Sequence, residues 1–177
     1  SQIADQTDTG VGGEVVGNYA TWNPNAGTNV TLTNGNLDCS LSAGTTSKAR
    51  NTIAVNSGKW YWEVKPISGG YGMIGISDAS LTGSQISYAA GGIYYYIHNG
   101  ELFGGLVTHP TSYATALASG DILGIALDMD NGNIKFYKNN TDLGNANTGS
   151  LVGKTVMPHL GEAGGGTFVT EATFGQR

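Results

Sequence analysis

Residues Gly120 to Gly144 read GDILGIALDMDNGNIKFYKNNTDLG, a β-hairpin written almost in full. Ile122 to Met129 is an apolar run, and Ile134 to Tyr137 is a second, shorter one. Between them, Asp130-Asn131-Gly132-Asn133 supplies residues that tolerate a positive φ in a tight turn. A second turn signal follows at Asn139-Asn140, and a short segment around Asp142-Leu143-Gly144 returns. Two turns this close together imply a meander of antiparallel strands and an all-β chain.

Composition points the same way. The chain has 177 residues, which suits one domain with a single core. It holds 29 glycines and 4 prolines, and only 12% of its residues are charged, about half the usual ~25%. No window shows a clean 3.6-residue apolar period. Strand candidates instead follow one another at short intervals: 19–23, 29–33, 36–41, 49–55, 59–67, 71–77, 93–98, 122–129, 134–138, 155–160 and 167–174. Asn34-Gly35, Ser57-Gly58, Ser68-Gly69-Gly70, Asn99-Gly100 and Gly164-Gly165-Gly166 punctuate them. Such a chain closes into a sandwich or a barrel. Residues 1–16, polar and Gly-rich, read as a linker or entry arm, as if cut from a longer polypeptide, and 17–177 as one β-sandwich domain.

Alternation assigns the faces. In Lys59–Ile67, Trp60, Trp62 and Val64 share one face and are expected to anchor the core; Tyr61, Glu63 and Lys65 share the other. In Ile122–Met129 both faces are largely apolar, so this strand is expected mid-sheet and covered on both sides. Ile134, Phe136, Phe168 and Phe174 should pack beside it. Cys39 is the sole cysteine; it excludes an internal disulfide and reads as a small core residue.

The formal charge is −5, with Lys and Arg scattered along the chain. This argues against nucleic acid as a partner. No apolar run nears the ~18 to 20 residues that a membrane-spanning helix needs, so membrane insertion is not expected.

Several motifs together resemble the SPRY domain, a β-sandwich of the concanavalin A-like type. Gly58-Lys59-Trp60-Tyr61-Trp62-Glu63-Val64 is similar to its opening strand, and Tyr71 to Ser77 to the strand that follows. Gly91-Gly92-Ile93-Tyr94-Tyr95-Tyr96 is similar to its Tyr-Gly-Tyr region. Gly120 to Asp128 and Ile134 to Asn139 resemble its Gly-Asp-x-Ile/Val-Gly and Ile-x-Phe-x-x-Asn-Gly core. Pro158 and Thr173-Phe174-Gly175-Gln176 match its end. One departure is Asn139-Asn140 in place of Asn-Gly, which leaves a left-handed turn possible but less favourable. Asp8 to Tyr19 and the closing Phe174-Gly175-Gln176-Arg177 particularly resemble SPRY domains of tailed-phage virion proteins. The resemblance implies a bent antiparallel sandwich with little or no helix, used for recognition and without catalysis or cofactor.

Catalytic sets are indeed missing from the sequence. The Glu-x-Asp-x-x-Glu strand of retaining glycosidases on such sandwiches does not occur. Asp128 and Asp130 sit at the mouth of a turn, where an Asp usually bonds its own backbone. His98, His109 and His159 are isolated, and no metal-ligand spacing appears. Asp128 to Asn133 lacks the third oxygen ligand and the bidentate Glu of a calcium loop.

Binding remains, and Ile93–His98 is the candidate strand. If Ile93, Tyr95 and Ile97 face the core, then Tyr94, Tyr96 and His98 face outward, followed by Asn99 and Glu101 in the next loop. These five are the expected ligand-binding residues, and Tyr94→Ala or Tyr96→Ala should then cost no more than about 1 kcal/mol. The expected role is a virion recognition module, on a tail fibre or other surface appendage, that binds a host-cell surface glycan or protein as a phage adhesin. The arm could mediate contact between copies, as in a trimer. A decoration domain contacting neighbouring virion subunits, and an intracellular peptide-binding SPRY module, are the alternatives.

Overall fold

The computed structural model describes residues 20–81, 91–107, 111–147 and 149–175, all strand, turn or loop, with no helix among them. Two antiparallel sheets form a sandwich. One has seven strands: β1 (Val30–Thr33), β2 (Asp38–Leu41), β4 (Lys59–Ser68), β9 (Leu123–Asp128), β10 (Asn133–Lys138), β11 (Thr141–Asn145) and β13 (Phe168–Thr173). Their order is β1-β2-β13-β4-β9-β10-β11. The other has six: β3 (Lys48–Arg50), β5 (Gly72–Asp78), β6 (Gly92–Tyr96), β7 (Glu101–Phe103), β8 (Thr111–Ser112) and β12 (Val156–Glu162). Their order is β3-β12-β5-β6-β7-β8. The all-β sandwich is thus the fold that turn spacing and alternation imply.

Between the sheets lies one apolar cluster. Trp62, Leu123, Ile125, Leu127, Ile134 and Phe136 meet Ile74, Ile76, Ile93, Tyr95 and Leu160 there. Phe168 and Phe174 are buried in it, and Trp22 meets Phe174 edge to face at 5.2 Å. Cys39 is buried as expected, and burial pushes its thiol up to about 12. Trp62 is an anchor as read. Trp60 is only half-buried against the cluster, with its indole N–H donating to the Ser57 carbonyl at 2.7 Å.

The 120–144 meander forms β9, β10 and β11 in sequence, and β9 pairs with β4 on its other edge. Asn139 and Asn140 both take positive φ, 49° and 66°. The Asn-Asn pair therefore makes the two-residue left-handed turn that Asn-Gly usually makes. Asn139 is held there: its Nδ2 donates to Asp121 Oδ1 and its Oδ1 accepts from the Ile122 N–H, both at 2.8 Å. At the first turn, Asp128 Oδ1 accepts from the Asn131 N–H at 3.0 Å. Asp130 instead reaches across to the Gly58 N–H at 2.7 Å.

Some expectations need correction. β9 does lie mid-sheet, but its outer face is only partly covered: the Tyr61 ring lies over Gly124, while Ala126 and Asp128 are partly exposed beside Lys135. Segment 49–55 forms a strand only over Lys48–Arg50; bridges at Asn51 and Val55 replace the rest. Around Trp22 a single bridge to Asn51 replaces a strand. β7 and β8 escape sequence reading because they are three and two residues long, too short to show alternation. The arm 1–16, His109 and Gln176-Arg177 lie outside the described residues.

Candidate functional site

The five expected ligand-binding residues, three on the outward face of strand 93–98 and two in the loop after it, divide into two groups. Tyr94 is 0% exposed and is not available to a ligand. The reason lies in its neighbours. Arg50, His159, Gly75, Tyr94 and Phe103 form one row across five strands of the six-stranded sheet. Gly75 has no side chain, so the Tyr94 and His159 rings close over it, edge to face at 5.5 Å with Tyr94 Oη and His159 Nδ1 3.0 Å apart. A Cβ on Gly92 would come within 2.6 Å of the Tyr94 ring. Arg50 donates to the Asp78, Ala79 and Leu81 carbonyls, at 3.3, 2.9 and 2.8 Å, and pins the chain after β5 beside this row. Burial, and then the charges of Arg50 and Lys48, hold His159 down at about 3, so it is neutral. Burial also pushes the Tyr94 phenol well above its usual range. This is a second, smaller core on the outside of the sheet.

Tyr96, His98 and Glu101 remain at the surface. The ring of His98 is exposed and stacks on Tyr71 at 4.7 Å with 13° between planes. Tyr96, half-buried, leans on His98 at 5.6 Å and on Phe103 at 5.1 Å. Tyr71 is 40% exposed. The result is an aromatic ladder, Tyr71–His98–Tyr96–Phe103. Asn99 shapes the turn between β6 and β7: its Oδ1 accepts the Glu101 N–H at 3.0 Å, while the Gly100 N–H donates to the Tyr96 carbonyl at 2.9 Å.

Tyr71 is not recognisable from the sequence as a ladder member because it lies 27 positions before His98, just ahead of a different strand. Its ring rests on Gly165, where an added Cβ would come within 1.9 Å of it. Gly165 is fixed in turn by Glu162, a buried carboxylate that accepts the N–H groups of Gly44, Gly164 and Gly165 at 2.8, 2.7 and 2.7 Å. The Gly164-Gly165-Gly166 turn thus supports one end of the ladder.

No group of His, Cys, Asp and Glu that could hold a metal ion occurs among the described residues. Asp128 and Asp130, the one acidic pair the sequence singles out, are each engaged by turn or loop N–H groups.

The sequence model of the SPRY domain family matches residues 59–163. Among solved structures, the SPRY domain of human HERC1 superposes with a TM-score of 0.72 at 16% identity, covering 88% of this chain and 99% of that one. The PSpry domain of TRIM65 gives 0.67 at 15% identity, covering 88% and 92%. Stonustoxin gives 0.63 at 19% identity, with 88% of this chain matched to 27% of that one. These structures share the sandwich. With the family match spanning β4 to β12, the two tests agree: this chain belongs to the SPRY domain family, whose members are generally non-catalytic modules that commonly bind proteins.

Proposed function

We propose that this domain is a non-catalytic recognition module of a phage virion protein, carried on a tail fibre or other surface appendage, and that it binds a host-cell surface glycan or protein. The observation that carries the recognition reading is the exposed Tyr71–His98 stack with Tyr96 beside it. Rings held in place by one another and by Gly165 lose little conformational freedom on binding, which favours affinity. Glu101, in the adjoining strand, supplies a carboxylate at the rim. The virion placement is supported by the likeness of Asp8–Tyr19 and Phe174–Arg177 to virion SPRY domains.

The test uses the full chain against host-cell envelope fractions and immobilised envelope proteins. The expected result is binding that falls about tenfold or more in Tyr71→Ala and His98→Ala, with melting temperatures close to the parent. Binding that ignores both substitutions overturns the site. A chain that binds no envelope component, yet is required for particle assembly, identifies a decoration domain instead. The likeness to the SPRY domains of human HERC1 and TRIM65 favours a second reading, an intracellular peptide-binding module; capture of a peptide from a display library by the same ladder would establish it. Light scattering of the full chain tests whether copies associate, as a trimer held by the arm would.

A further inference from the structure

The outer face of the seven-stranded sheet carries a feature that the ladder, on the other sheet, does not use. Cα register sets three rows side by side across β4, β9 and β10: Lys59–Asp128–Asn133, Tyr61–Ala126–Lys135 and Glu63–Gly124–Tyr137. The middle strand presents small side chains at Gly124 and Ala126, while its neighbours present Tyr61, Lys135 and Tyr137. Tyr61 covers Gly124, so the face is hollowed over Ala126. The hollow has a volume of about 360 Å³ and is floored by Ala126, at the small end of the ~300 to 1,000 Å³ typical of ligand pockets.

Its wall is preorganised. Tyr61 is 43% exposed yet fixed. Its ring lies across Gly124, where a Cβ would come within 2.3 Å of Tyr61 Oη. That hydroxyl donates to Glu63 Oε1 at 2.8 Å, and the ring meets Tyr137 edge to face at 6.4 Å. An exposed tyrosine held by a glycine, a carboxylate and a second ring is ready to receive a flat apolar surface.

Charge and backbone narrow the ligand. Lys59 pairs with Asp128 at 3.5 Å and Lys135 with Asp142 at 2.9 Å. Each lysine that lines the hollow is thus offset by a carboxylate. Both edges of β9 are laddered, to β4 and β10, so an extended peptide cannot add as a strand there. Recognition must come from side chains. Asp128 Oδ2 already accepts from Asn131 Nδ2 and pairs with Lys59, and its Oδ1 accepts only the Asn131 N–H, which leaves one lone pair of Oδ1 for a ligand. The rim also offers the Asn145 side chain and the Asn133 Nδ2; Asn133 Oδ1 is taken by the Gly149 N–H at 2.8 Å. A ligand that matches all this is uncharged, has one flat C–H face for Tyr61, and carries hydroxyls that both donate and accept at its edge.

We propose that the hollow over Ala126 is a binding site for one or two units of a neutral saccharide, with Tyr61 stacking on the sugar's apolar face and Asp128, Asn133 and Asn145 bonding its hydroxyls. The site is separate from the Tyr71–His98–Tyr96 ladder and does not rest on it.

The test is a glycan array probed with the full chain, then titration of maltose, lactose, cellobiose, N,N′-diacetylchitobiose and the best array hit, read by amide NMR shifts. Expected are binding to uncharged glycans, shifts at Tyr61, Ala126 and Tyr137, and little change in affinity from low to high salt. Tyr61→Ala should weaken binding about tenfold or more, Tyr61→Phe should retain most of it, and Ala126→Leu, which fills the floor, should abolish it. The last two report on the site even if Tyr61→Ala folds poorly. Absence of any neutral glycan ligand, binding restricted to charged glycans, shifts confined to Tyr71, Tyr96 and His98, or affinity unmoved by Ala126→Leu would each overturn the proposal.

Discussion

Tyr94 and Tyr96 sit two positions apart on one face of β6, yet their energetics differ. Tyr94 is fully buried against His159 over Gly75, so Tyr94→Ala is expected to cost about 3 to 5 kcal/mol and Tyr94→Phe about 1. Tyr96→Ala, at a half-buried position, should cost clearly less, and urea denaturation of the three variants checks the order. His159 makes a second prediction. Its folded-state value is depressed to about 3 by burial and by Arg50 and Lys48, against an unfolded value near 6.5. The unfolded chain therefore takes up the proton first. Stability from this group is complete above pH ~6.5 and is lost as the pH falls toward the folded value, at up to about 1.4 kcal/mol per pH unit. The difference in unfolding free energy between the parent and His159→Gln, measured from pH 7 to pH 4, should narrow on that slope. A constant difference would mean that His159 takes up its proton alike in the folded and unfolded chains.

At the scale of elements, two short connections bear more than their length suggests. The Asn139-Asn140 turn holds two non-glycine residues at positive φ. Asn140→Gly should relieve the second of these and raise stability by about 0.5 to 1 kcal/mol. Asn139→Gly should not, because the Asn139 side chain ties the turn to Asp121 and Ile122; thermal melts of both variants separate the two. Glu162 ties the loop before β3 to the turn before β13 through three N–H groups. Glu162→Gln keeps the shape but loses the charge, and should cost about 1.5 to 3 kcal/mol. It should also loosen Tyr71, whose ring rests on Gly165, so ligand binding at the ladder should weaken with stability. Tyr71 amide and ring signals in NMR would show whether that end of the ladder moves.

For the molecule as a whole, the core between the sheets decides whether anything folds. Trp62 is 2% exposed in its centre, so Trp62→Ala should cost about 3 to 5 kcal/mol of a total near ~5 to 15. A melt near the parent's would mean that the inward face of β4 had been assigned backwards. The inward faces of β4, β9 and β10 were legible in the sequence because alternation and turn residues are local. Trp62, Ile125 and Phe136 announce themselves within a few neighbours, and so do the turns at Asn131-Gly132 and Asn139-Asn140. The family could be read for the same reason, since its motifs lie within single strands and their turns. Outer faces could not be read this way. Whether Tyr94 is buried or Tyr61 exposed depends on which residues lie across from them, and those come from distant parts of the chain. Gly75 and His159 make room for Tyr94 and cover it; Gly124 seats the Tyr61 ring, and Ala126 leaves a hollow beside it. Tyr71 reaches His98 only because β5 and β6 pair. The sequence alone determined the sandwich and its core, because hydrophobic alternation is a property of each strand by itself. Only the tertiary structure decided which outward side chains meet a partner and which meet solvent, because that depends on strand register between segments tens of residues apart.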